Sequence, residues 1–221
     1  MPRRKHYRRK KKKSSYYRTG KRYANYAYQG YKTAMYLKGL INTEFKFTDI
    51  NLTGDDVDYN GFGTLLCTPA VGDTDTTRHG DSIRLKNIIG KGRIDYDSAG
   101  NANIQTVTLW LVQFKNATGL QPSELIANGY IGSVNAPYAP KDRDKRFLSK
   151  TLWKRTITVS AERPTSSFSI RISNLNTHEQ FEAGTTNVNS GPLVLFAISN
   201  DSSATDGPNL YLQNRTSFID N

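Results

Sequence analysis

The chain has 221 residues and a formal net charge of +12, from 31 Lys and Arg against 19 Asp and Glu. That length fits one domain of ordinary size plus a tail. The single cysteine, Cys67, excludes an intrachain disulfide and suits a reducing compartment. No apolar run approaches the roughly 18–20 residues that span a bilayer, and no apolar signal segment follows the basic start, so neither a membrane partner nor secretion is expected.

The charge is unevenly placed. Residues 1–38 hold 14 Lys and Arg and no acid, whereas 39–221 hold 17 against all 19 acids, a net of −2. A polycation tethered to a nearly neutral body points to a polyanionic partner for the tail. Residues 1–22 are of low complexity and have nothing apolar to bury except tyrosine rings, so disorder in isolation is expected. Arg3, Arg4, Lys5, Arg8, Arg9, Lys10, Lys11, Lys12 and Lys13 form a dense cluster, followed by Tyr16, Tyr17, Arg18, Lys21 and Arg22. These are the candidate nucleic-acid contacts. Counterion release binds phosphates without any fixed geometry, so disorder is no handicap.

Eight of the 13 tyrosines lie within 1–38. Unpaired bases can stack on such rings, worth about 1–3 kcal/mol each, which favours single strands over duplexes. The same basic run fits a nuclear import signal. Leu37, Leu40 and Ile41 have the spacing of a short helix at the end of the arm.

From residue 39 the pattern predicts an all-β body. Eight stretches rich in Val, Ile, Thr, Phe and Tyr fall at 43–53, 62–68, 82–96, 104–115, 147–159, 166–174, 192–199 and 209–218. Turn residues separate them: Gly54-Asp55-Asp56, Asn60-Gly61, residues 97–101, Asn189-Ser190-Gly191 and Asp206-Gly207-Pro208. In the fourth stretch Val107, Leu109, Leu111 and Gln113 share one face, and Trp110, Val112 and Phe114 the other. Both faces are largely apolar, as in a strand covered on both sides. One helix is predicted, over Pro122–Gly129, with Pro near its start and Asn-Gly at its end. Eight strands with almost no helix fit a jelly roll of two four-stranded antiparallel sheets.

Enzyme chemistry is not expected. The three histidines, His6, His79 and His178, are scattered, and no HExxH, CxxC, GxSxG, Walker or GxGxxG pattern occurs. Cys67 follows Leu65 and Leu66 and reads as core packing. Asp55, Asp56 and Asp58, and then Asp73 and Asp75, read as solvated loop acids. No cofactor is predicted; Ca²⁺ shared between subunits is conceivable chemistry for such carboxylates, but nothing in the spacing supports it. The alternating run Lys141-Asp142-Arg143-Asp144-Lys145-Arg146 leaves two readings open, a solvated loop or ion pairs between neighbouring copies.

Several of these segments occur together elsewhere. Leu40-Ile41-Asn42-Thr43-Glu44, just after the arm, resembles the start of the shell domain in coat proteins of small circular single-stranded DNA viruses, the circovirus-like, Rep-encoding group. The stretch from Gly72 to Lys86 resembles the same family's GDT…R.GDSIR.K segment. Coat proteins of plant satellite necrosis viruses are similar too, in the INT start, the R.GD..R pattern, an apolar strand like Val107–Phe114, a short PS.L segment and the Lys145-Arg146-Phe147 run. The similarity covers most of residues 1–160.

The resemblance implies a jelly-roll capsid protein that assembles with itself into a smallest-class T=1 shell of sixty copies. It also implies an arm facing the shell interior and a packaged single-stranded genome, with DNA favoured over RNA. Sixty arms with 14 cations each would carry roughly 840 positive charges, which partly neutralises a genome on the order of one to two thousand nucleotides. The expected locations are the virion and, during assembly, the host nucleus, with the host nuclear import machinery and an unidentified host receptor as further partners. Gly20, Gly30 and the tyrosine-rich run argue against a long basic helix of the satellite type. The alternatives are a coat protein of a satellite-type RNA virus and a cellular nucleic-acid-binding β-barrel module.

Overall fold

The computed structural model describes residues 23–33, 45–117, 119–145 and 147–220. The short helix anticipated around Leu37, Leu40 and Ile41 lies outside them. A helix, α1, instead occupies residues 23–33 and runs through Gly30. At about three turns it is too short to be firm on propensity alone.

From Glu44 onward the chain forms a unit of its own. Its strands are β1 (Lys46–Asp56), β2 (Phe62–Leu65), β3 (Ser82–Asp95), β4 (Ile104–Phe114), β5 (Ser149–Ser160), β6 (Thr165–Ile172), β7 (Thr177–Phe181), β8 (Val188–Ser190), β9 (Leu193–Ser199) and β10 (Asn209–Asp220). They build two antiparallel sheets. One has six strands in the order β1-β10-β3-β7-β8, with β6 also on β3, and the other has the order β2-β9-β4-β5.

The pairing is nested. β4 pairs with β5, β3 with β6, β2 with β9 and β1 with β10. The chain therefore doubles back as one long antiparallel ribbon centred on the β4–β5 connection. Folding such a ribbon over itself makes a jelly roll, the expected architecture. Among the described residues, the expected count of eight strands in two equal sheets needs correction to ten, six and four. The additions are β7 and β8. β3 is long enough to take two partners on one edge: Ser82–Leu85 pairs with β7 and Ile88–Asp95 with β6. The sequence Thr177-His-Glu-Gln-Phe hides β7 because its inward positions hold Glu179 as well as Phe181.

The main core lies between the sheets. Val107, Leu109 and Leu111 of β4 meet Ile88, Leu195, Leu212 and Phe218 there, all essentially free of solvent. The opposite face of β4, Trp110, Val112 and Phe114, packs with Val194, Phe196 and Ile198 of β9 under Leu125, Ile126, Ala136 and Ala139 of the β4–β5 connection. The Phe114 and Phe196 rings meet edge to face at 6.0 Å. The double burial read from the alternation is thus realised, with one cover supplied by a sheet and the other by a connection.

That connection corrects the helix expected over Pro122–Gly129. Two 3₁₀ turns, Pro122–Glu124 and Asn128–Tyr130, flank an extended Ala127 at φ −65°, ψ 130°. Leu125 and Ile126 are both fully buried, and their backbone pairs with 141–142: Ile126 bridges to Lys141, and Asp142 N donates to Leu125 O at 3.0 Å. Tertiary pairing takes the carbonyls a helix would have used. Gly54, read as a turn, instead sits at φ +97° in a bulge within β1, which continues to Asp56.

Candidate nucleic-acid interface and neighbouring side-chain clusters

The contacts read from the arm, Arg3 through Arg22, lie outside the described residues. In α1, Tyr23, Tyr26, Tyr28 and Tyr31 are all exposed. The Lys32 ammonium lies 5.0 Å from the Tyr28 ring centroid, one turn away. Rings presented beside a cation are the arrangement on which unpaired bases stack.

The acidic loops of the body are local fasteners. Asp58 Oδ1 accepts the Asn60 and Gly61 N–H groups at 3.0 and 2.7 Å, closing the turn into β2. His79 Nε2 meets Asp73 at 2.9 Å on the surface. Asp56 is held above the ordinary carboxylate range, by burial first and then by Asp97, Asp206 and Asp55. Among the described residues, no group of three or more His, Cys, Asp or Glu is arranged to hold a metal ion. The alternating run holds the connection in place: Lys141 Nζ donates to Ser149 O at the start of β5 at 2.8 Å, and Lys145 Nζ donates to Ser123 O within the connection. Arg146 lies outside the described residues.

Four buried ionisable groups among the described residues escaped the sequence reading, Lys46, Arg78, Glu179 and Asp201, and two of them join distant parts of the fold. Arg78 is wholly buried. Its Nη1 donates to Gly80 O and reaches Asp81 at 3.2 Å, its Nη2 donates to Thr185 O, and its guanidinium lies 4.3 Å from the Phe181 ring centroid. The R.GD segment is therefore a clamp between the β2–β3 connection and the β7–β8 hairpin. Glu179 crosses the sandwich: it stands on β7 of the six-stranded sheet, and its Oε1 accepts the N–H of Leu193, on β9 of the other, at 2.8 Å. Burial pushes its carboxyl up to about 8. The Cys67 thiol against it is also raised, by burial and then by the Glu179 charge, and is fully buried as its apolar neighbours predicted.

The largest exposed apolar side chains of the body include Val134 at 63% and Tyr138 at 65% exposure, both on the β4–β5 connection.

No protein-family model matches the chain, and no curated protein does. Solved structures similar to it include one of Desmodium yellow mottle tymovirus, at 12% identity over 80% of this chain and 86% of that one with a TM-score of 0.36. Another is a 60-mer of the BFDV capsid protein, at 7% identity over 79% of this chain and 90% of that one with a TM-score of 0.29. At identities and scores this low, neither says what this chain does, which is left to its own residues.

Proposed function

We propose that this chain is a structural protein, a viral capsid subunit that closes into a shell of identical copies and packages single-stranded nucleic acid through its basic arm. The observation that carries the reading is the division of charge, 14 unopposed cations within 1–38 against a body of net −2. The jelly-roll body supplies a rigid unit, and the exposed apolar β4–β5 connection supplies contact surface for a second copy. Closed symmetry converts such contacts into a finite particle, sixty copies in the smallest case. The arm adds affinity that depends on phosphates and not on sequence. DNA is favoured because the run from Arg3 to Lys13 doubles as an import signal, which would bring assembly into the host nucleus.

Electron microscopy of the purified full chain tests the shell. Closed particles of uniform size are expected, and a monomer at every salt concentration would sink the proposal. Nuclease digestion of the extracted contents decides between DNA and RNA. Deleting residues 1–22 is expected to leave the far-ultraviolet spectrum of the body intact and to cut packaged nucleic acid by about tenfold or more. A truncated chain that still packages a full-length genome would remove the arm from the mechanism.

The contact surface has its own test. Replacing Val134 and Tyr138 together by Ser should abolish particles while shifting subunit stability by no more than about 0.5 kcal/mol, as for exposed positions generally. Sedimentation of particles identical to wild type would show that this connection is not an interface.

A further inference from the structure

The near-neutrality of the body conceals a second segregation of charge. Residues 141–171 carry nine Lys and Arg against three acids, a net of +6, while the rest of 44–221 carries eight against sixteen, a net of −8. The topology gives the positive segment a place. β5 is the last strand of the four-stranded sheet and pairs only with β4, and β6 pairs only with β3, so among the described residues both have an open edge. A tight turn joins them: Ser160 and Arg163 exchange backbone hydrogen bonds at 3.1 and 3.0 Å. The Trp153 and Phe168 rings meet at 6.0 Å across the two strands. The two open edges therefore run side by side along one flank of the sandwich.

Exposed cations stand on both strands and on the turn between them, Lys154 towards the outer face of the four-stranded sheet and Arg171 towards that of the six-stranded one. Lys150, Lys154, Arg155, Arg163 and Arg171 are all exposed, and Glu162 is the one acid on these two strands and their turn. Among the described residues, the ion pairs are made by Lys46, Arg78, His79, Arg93 and Arg215, and by none of these five. Exposed Thr151, Thr165, Ser167 and Ser169 lie between the cations as small hydroxyl donors. Lys154 is held over the Trp110 ring at 3.7 Å, which fixes one charge in place.

Five exposed cations without an ion pair among the described residues suit a polyanion, and two are at hand: phosphates, or the acids of a second copy. The acids gathered in the β1–β2, β3–β4 and β9–β10 connections are already engaged. Asp58 closes its own turn, and Asp97 accepts Ala99 N–H at 2.8 Å. Asp201 is fully buried and accepts the N–H groups of Asn101, Ala102 and Ser203. Asp206 accepts the Ser203 and Thr205 hydroxyls. A phosphodiester chain has no such prior commitment and can follow an elongated edge.

We propose that the paired open edges of β5 and β6 form a second binding surface for a single-stranded phosphodiester backbone, separate from the arm. The inference rests on the packaging reading above and assigns the body a share of the contact.

Ultraviolet crosslinking of the full chain, as free subunits, to a 5-bromodeoxyuridine oligonucleotide, followed by mass spectrometry, tests it. Crosslinked peptides are expected from β5 and β6 as well as from the arm. A full-length variant with Lys150→Gln, Lys154→Gln, Arg155→Gln, Arg163→Gln and Arg171→Gln should lose about 3.5 from the slope of log K against log salt, at roughly 0.7 per phosphate contact. Its urea midpoint should be unchanged. Crosslinks confined to the arm overturn this inference alone. So does a variant with unchanged affinity that fails to form particles, which hands the flank to a second copy, or one that aggregates with unchanged affinity, which leaves the cations as guards of an open edge. A full chain that binds no oligonucleotide overturns the packaging reading together with this one.

Discussion

Replacing Arg78 by Ala should lower the stability of the free subunit by about 3 kcal/mol, or roughly 6–12 °C in Tm for a body of this size. The guanidinium is wholly buried and serves Gly80 O and Thr185 O, two carbonyls from different parts of the chain, while its plane covers the Phe181 ring. The Asp81 partner is more than half exposed, so the lost ion pair counts for little. The cost comes from carbonyls left without a charged donor and from the void beside Phe181. Arg78→Lys should recover less than half, because a single ammonium cannot span two acceptors as a planar fork does. Urea unfolding of the three proteins checks this. A loss for the Ala variant below about 1 kcal/mol, the ordinary size for a point change, would show that the clamp is not a clamp.

The second large effect concerns pH. The Glu179 carboxyl titrates near 4.5 in an ordinary setting and is pushed up to about 8 by burial between the sheets. Below pH 4.5 both the folded and unfolded chains hold the proton, and no penalty arises. Between pH 4.5 and 8 the unfolded chain releases it while the folded chain keeps it, so stability falls as pH rises. Each pH unit costs about 1.4 kcal/mol, on the order of 5 kcal/mol in all, and the loss levels off above pH 8. Asp56, raised in the same direction, adds to the trend, whereas Asp49, lowered by its hydrogen bonds to Arg215, acts only below its ordinary value of 3.8 and so outside this window. Glu179→Gln keeps an acceptor for Leu193 N–H and carries no charge. Its unfolding free energy should be nearly flat from pH 5 to 8 and higher than wild type at pH 8. Parallel pH profiles for the two proteins would refute the assignment. Because Glu179 joins β7 to β9, the wild-type loss should show as a loosening of one sheet from the other.

If the chain assembles as proposed, these effects bear on that assembly through the same elements. Arg78 and Glu179 both fasten the β7–β8 hairpin, which widens the six-stranded sheet beside β3. In the proposed shell, a subunit that loosens there as pH rises towards 8 would offer a less rigid surface to its neighbours.

Local pattern alone determined much of this protein. Alternation and turn chemistry located the strands that became β1 to β6, β9 and β10 to within a few residues, and the two apolar faces of Val107–Phe114 announced a strand covered on both sides. Period and side-chain type act over neighbouring residues, and so remain visible in a linear chain. The segregation of cations into residues 1–38 was equally plain, since it requires only counting.

Only the tertiary structure decided the rest. Pro122–Gly129 has the marks of a helix, but Leu125 and Ile126 must both be buried on β4 and β9, and their backbone pairs with 141–142 instead. β7 stayed hidden because Glu179, an inward glutamate, makes sense only opposite Leu193 and Cys67, which are distant in sequence. Arg78 entered the sequence reading only as part of the R.GD..R pattern, and nothing local announced that Phe181 and Thr185 would close over it. The cationic flank was in the composition all along, yet it became a surface only when the nested ribbon brought β5 and β6 together as open edges. Burial and charge complementarity depend on which distant segments meet, and a linear pattern carries little record of that.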